Sequence, residues 1–178
     1  MKWQKAGQLI FFIILVSAAA IIQSALIYAW PPFFNQLNLV LISLVFALFF
    51  YGFRSALVVS VIAGFWLDLF SFNFFGFNLL VLGLSAVLVH LALDSWLTNR
   101  SLYSFGLLIL LATIIYNLTS GTLAYFSVAG SAAFFLGRPL FWQQLLYQSI
   151  WSELAAILMF SLVAAATRRL KPFFLEKK

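Results

Sequence analysis

The sequence predicts an all-α integral membrane protein, with six transmembrane helices in one compact bundle. Three observations carry that expectation. Of 178 residues, 65% are hydrophobic and only 8% are charged. The charges lie almost entirely between or beyond the apolar runs, so that residues 7–22 and 79–93 hold no Asp, Glu, Lys or Arg. A water-soluble domain of this size needs polar surface, and the chain has too little, so its surface must face lipid. Helices satisfy every backbone N–H and C=O internally, which lipid demands. A membrane barrel would need alternating apolar and polar residues, and stretches such as 107–115 show none.

The first span is expected over about 7–29. Lys2 and Lys5 precede it, as in a secretion signal, but the apolar stretch to Trp30 is longer than the roughly 7–15 residues of a signal core. It therefore reads as a retained helix, stopped by Trp30-Pro31-Pro32. Its pairs Ala20/Ser24 and Ala25/Ala29 have the small-residue spacing that lets helices approach closely. The second span, about 37–51, is short unless Phe33 and Phe34 extend it. The third, about 55–70, follows Arg54, and the fourth covers about 77–97. The fifth, about 102–128, carries a mid-span polar patch of Asn117, Thr119 and Ser120, residues that commonly bond to neighbouring helices. The sixth covers about 148–167. Residues 129–147 hold Gly130, Gly137-Arg138-Pro139 and the aromatics Phe134, Phe135, Phe141 and Trp142. They are expected as an amphipathic segment in the interface.

Charge fixes the expected orientation. With both termini in the cytoplasm, nine of the ten basic residues lie inside: Lys2, Lys5, Arg54, Arg100, Arg168, Arg169, Lys171, Lys177 and Lys178. Only Arg138 falls outside. The net charge of +6 thus reports topology. It forms no patch for nucleic acid, and the expected contact is membrane lipid. The basic tail after the sixth span, with Phe173 and Phe174, reads as a surface anchor or simply as part of this topology signal.

Chemistry has little to work with. There is no cysteine and only one histidine, so disulfides, thiolate nucleophiles and multi-histidine metal sites are excluded. No nucleophile elbow, zinc-protease helix or phosphate loop is present. No cofactor and no enzymatic activity are expected.

Ionisable residues within a span are costly and mark functional candidates. Asp68 lies about 14 residues, or about 21 Å of helix, beyond Arg54, which places it near the outer end of the third span. Ser71, Asn73, Gly76 and Asn78 follow it in a hinge-like turn. Glu153 is expected about one and a half turns into the sixth span, at a similar depth in the outer half. Both acids would then face inward near Arg138. Alternatively, Asp68 caps the turn and Glu153 reaches the interface. His90 and Asp94 stand four apart on one helix face, which reads as a local contact.

The stretch Ala63-Gly64-Phe65-Trp66-Leu67-Asp68-Leu69-Phe70-Ser71, followed by Phe75-Gly76-Phe77-Asn78, resembles the central motif of the MreD family of rod shape-determining proteins. That family shows a G-x-x-x-D-x-x-S stretch and then a Gly opening the next apolar helix. Gly64, Asp68, Ser71 and Gly76 hold the matching positions. Phe72 stands where a small residue often follows the Ser. The motif covers about a dozen residues, while size and span number fit nearly the whole chain.

The resemblance implies a non-enzymatic scaffold in the bacterial cytoplasmic membrane. It would bind MreC, with RodA, a class B penicillin-binding protein and, indirectly, MreB in the same machinery of lateral peptidoglycan growth. Gly64, Asp68, Ser71, Gly76, Asn78, Arg138 and Glu153 are the candidate partner-binding or structural residues. Aromatics of the turn and of the 134–142 region are candidate anchors. The family is also similar in fold to the S components of energy-coupling-factor transporters. A rival expectation is therefore a small-molecule-binding transporter subunit, with Asp68, Asn73, Asn78, Arg138 and Glu153 lining an outer pocket. A lipid-precursor-handling role ranks below both, since Arg138 is the one outer cation available to an anionic head group.

Overall fold

The computed structural model describes residues 13–25, 37–71, 74–96, 102–127 and 139–168. Every regular element among them is an α-helix. There are six: α1 (Ile13–Ala25), α2 (Leu39–Tyr51), α3 (Phe53–Phe70), α4 (Phe77–Trp96), α5 (Leu102–Ser127) and α6 (Pro139–Arg168). Three stretches, Phe53–Phe70, Phe77–Ser95 and Tyr103–Phe126, are long and apolar enough to cross a membrane.

The core is built around α2, whose sequence LVLISLVFALFFY is apolar on every face except for Ser43. Such a helix is stable only when neighbours enclose it. Consecutive helices from α3 to α6 pack on one another, and each of the four also packs on α2. Val40, Leu41, Ile42, Leu44, Val45, Ala47, Leu48 and Phe49 are buried there. At its C-terminal end Phe46, Phe49 and Phe50 surround Phe105 of α5, with ring centroids 6.4, 5.3 and 6.2 Å away. This places the start of α5 beside the α2–α3 turn.

That turn needs Gly52, which sits at φ +88°, where side chains strain the backbone. Its N–H donates to the Leu48 carbonyl, and its own carbonyl accepts from Ser55 and Ala56. Gly52 therefore closes one helix and opens the next, so α3 starts at Phe53 rather than at the expected Ser55.

Helix α1 lays Val16 and Ala20 into the same core, and the Trp66 indole of α3 donates to Ser17 at 3.1 Å. The small pair Ala20/Ser24 is buried within this chain. Ala25 is exposed, and Ala29 lies outside the described residues.

The sixth helix corrects an expectation. It begins at Pro139, not near residue 148, and runs 30 residues. Proline is favoured in the first turn of a helix because its missing N–H has no partner there anyway. The expected interfacial segment is thus divided. Residues 139–147 are the opening turns of α6, and 128–138 lie outside the described residues, as do 1–12 and 26–36.

Candidate functional site

The α3–α4 junction is the most highly organised polar site. Asp68, only 5% exposed, ends α3 with its carboxylate turned to the start of α4. Oδ2 accepts the N–H groups of Gly76 and Leu79 at 3.0 and 3.2 Å. Oδ1 accepts the backbone N–H and the side-chain amide of Asn78 at 2.8 and 3.0 Å. The first N–H groups of any helix lack intrahelical partners, and a carboxylate also suits the positive end of the helix dipole. One side chain thus caps a helix from a different helix.

Two glycines make this possible. Gly76 adopts φ +97°, which turns the chain so that its N–H faces Asp68. Gly64 lies one turn before Asp68. A Cβ there would stand 2.6 Å from the Leu79 Cα and 3.0 Å from its N. Only a residue without a side chain lets α3 and α4 approach so closely. Gly64, Asp68, Gly76 and Asn78 are therefore one assembly. Ser71 stands next to it as the C-cap of α3, its buried Oγ without a hydrogen-bond partner. Aromatics surround the assembly: exposed Phe65 packs edge-on against exposed Phe75 at 6.0 Å, and exposed Phe74 against buried Phe77 at 5.4 Å.

Glu153 does not belong to this site. It lies against Gly106 of α5, where a Cβ would stand 3.2 Å from its Oε2. Gly106 follows Phe105, which packs by the α2–α3 turn. Asp68 is at the far end of α3, on the order of 20 Å away along the bundle. The expected pairing of the two acids at one depth is thus corrected. It followed from starting α6 nine residues late. Arg138, expected beside them, is outside the described residues, as are Phe72 and Asn73. Of the residues expected to line a ligand pocket, the described ones do not converge: Asp68 and Asn78 are bonded to each other and Glu153 is distant.

The polar patch on α5 reaches neighbouring helices on both sides. The Asn117 amide donates to Gln148 Oε1 of α6 at 2.9 Å, and Thr119 Oγ1 lies 3.2 Å from Ser85 Oγ of α4. A second polar cluster, not expected from the sequence, lies at the N-terminus of α2. The Gln23 side chain of α1 accepts the Val40 N–H at 2.8 Å, and Asn38 Oδ1 accepts the Leu41 N–H at 3.0 Å. The Tyr116 hydroxyl is hydrogen-bonded to Asn38. Gln23 and Asn38 thus hold the first N–H groups of α2, with Tyr116 of α5 on Asn38, while Asn117 and Gln148 join α5 to α6. The available signal was Asn38, a capping residue just before an apolar run.

We expect Asn117→Leu and Gln148→Leu to be strongly non-additive. A double-mutant cycle in detergent unfolding should return a coupling of about 0.6–1.7 kcal/mol, the range of polar pairs between membrane helices. A coupling near zero would show that each amide finds other partners.

His90 and Asp94 form the expected local pair, Nε2 to Oδ2 at 3.4 Å, and the imidazole stacks on Phe53 with centroids 4.4 Å apart. Among the described residues no group of three or more His, Cys, Asp or Glu could hold a metal ion. No family model matches the chain, and neither the curated proteins nor the solved structures contain a match.

Proposed function

We propose that this chain is a non-enzymatic membrane scaffold of the MreD type, crossing the bacterial cytoplasmic membrane six times with both termini inside. In this reading it binds MreC and so helps to control lateral peptidoglycan synthesis and cell shape. RodA, a class B penicillin-binding protein and, indirectly, MreB are the wider partners. The carrying observation is the α3–α4 junction. The residues Gly64, Asp68 and Gly76, which bear the resemblance, are tied together by Asp68 bonding across to Gly76, Asn78 and Leu79. They build a fixed hairpin end that displays Phe74 and Phe75, 49% and 65% exposed. A rigid display of exposed aromatics suits a partner contact better than a reaction centre.

This separates binding from folding. Asp68 is wholly engaged inside the hairpin, so replacing it tests both at once. Phe74→Ala and Phe75→Ala remove the display and its ring contacts with Phe77 and Phe65 but leave the bonds of Asp68 in place. Together they should lower co-purification of MreC at least about tenfold, the loss of roughly 1.4 kcal/mol expected of one interface anchor. The thermal midpoint should stay unchanged. Unaltered co-purification would remove the hairpin end from the partner surface.

A second reading, a small-molecule-binding transporter subunit, is favoured by one observation: the buried polar layer over α2, with Gln23, Asn38, Asn117 and Gln148. Amides of this kind could hold a polar ligand. A thermal-shift screen of the purified protein against water-soluble vitamins distinguishes the two. A large stabilisation by one compound would favour the transporter subunit.

A further inference from the structure

Among the described residues, two charges near one end of the bundle have no partner. Glu153 Oε1 is buried and without a hydrogen bond. The carboxylate packs into the space left by the missing side chain of Gly106, where a Cβ would stand 3.2 Å from Oε2. The surrounding seam of α5 and α6 is apolar and exposed: Leu107 49%, Leu110 39%, Ile150 55%, Leu154 49%. An uncompensated carboxylate in such surroundings is costly. Arg54, in the first turn of α3, is exposed, and the one ion pair among the described residues is that of His90 with Asp94. Phe105, packed on Phe46, Phe49 and Phe50, brings the Gly106–Glu153 seam level with the turn from which Arg54 emerges. Helices α3 and α6 stand at the two ends of the arc around α2.

We infer that the α5–α6 seam at Glu153 receives Arg54 of a second copy of this chain, side by side in the membrane. The flanks fit as well as the charges. Above Arg54, Val58 and Val61 continue one exposed stripe of α3, at the i+4 and i+7 positions. Above Glu153, Ile150 and Leu146 continue an exposed stripe of α6. The two stripes run away from their charges toward the same end of the bundle, so Val58 meets Ile150 when Arg54 meets Glu153. Two different surfaces are joined, so the contact is heterologous and builds rings or rows rather than a closed pair. It makes no use of the Phe74–Phe75 display and stands independently of the MreC reading.

The absence of cysteine gives a clean test. The full chain carrying Val58→Cys and Ile150→Cys is reconstituted in phospholipid vesicles and oxidised. Cross-linked dimers and larger species are expected, reduced at least about fivefold by Glu153→Gln, since this is what a partly desolvated ion pair of about 1 kcal/mol supplies. Arg54→Glu should abolish them, and Arg54→Glu with Glu153→Arg should restore them. Cross-linking no stronger than that of Val58→Cys with Leu84→Cys, a pair on another face, overturns the inference. So does cross-linking indifferent to the Glu153→Gln change.

Discussion

Asp68→Ala is expected to cost at least about 3 kcal/mol of stability, since each buried donor left without an acceptor costs about 1–3 kcal/mol. Three backbone N–H groups and the Asn78 amide lose their acceptor at once. Water reaches such a site poorly beside lipid, so little of the loss is recovered. Asp68→Asn should fall between the two. It keeps one acceptor oxygen but turns an NH₂ toward N–H groups that need an acceptor. Ser71→Ala is the internal control. Its Oγ is buried without a partner, so its removal should be neutral or slightly stabilising. Unfolding in mixed micelles, followed by Trp fluorescence, measures all three. An Asp68→Ala protein within about 0.5 kcal/mol of the parent, the ordinary scatter of harmless substitutions, would show that α4 is capped some other way.

Gly64→Ala should be the most damaging single-methyl change in the chain. Overpacking usually costs about 1–3 kcal/mol because side chains can shift. Here the obstacle is the Leu79 backbone at 2.6 Å, so the helices themselves must separate. Separation also pulls Asp68 from the N–H groups that it caps, so the cost should exceed that range. The rescue experiment is specific. Leu79→Ala trims a side chain but leaves the Cα in place, so it should not restore Gly64→Ala. Rescue by Leu79→Ala would mean that the side chain was the obstacle. Gly83→Ala is the comparison, because a methyl group there meets nothing within 4 Å. In a membrane the packing of close helix faces replaces the hydrophobic drive between helices, which is why one methyl group matters so much.

Much of this was legible in the sequence. The apolar runs give the helices, and the spacing of His90 and Asp94 gives their contact. The motif positions were visible, and capping of the turn by Asp68 was one of the two expectations, but its partners were not. Asp68 bonds mainly to backbone N–H groups, and a backbone donor leaves no mark on residue identity. A charge search therefore turned to Arg138 and Glu153 instead. The sequence places 139–147 in the interface, although proline also opens helices. Starting α6 near residue 148 then lifts Glu153 to the wrong end of the bundle. The layer of Gln23, Asn38, Tyr116 and Gln148 was overlooked because its members come from separate runs. Asn38 and Gln148 stand at the edges of expected spans, and Gln23 and Tyr116 within them, so no single run shows the group.

The shortness of α2 has a bearing on biogenesis. Its 13 residues make about 20 Å of helix, less than the ~30 Å of hydrocarbon that a lone segment must cross when it leaves the translocon. The ribosome delivers it before α5 and α6, which pack on it, and before Tyr116 of α5, which reaches Asn38 at its N-terminus. A nascent chain halted after α4 therefore holds Asn38 without the tyrosine that meets it in the finished protein. Helices α3 and α4 can enclose part of α2 at once, but its enclosure is complete only when α5 and α6 arrive.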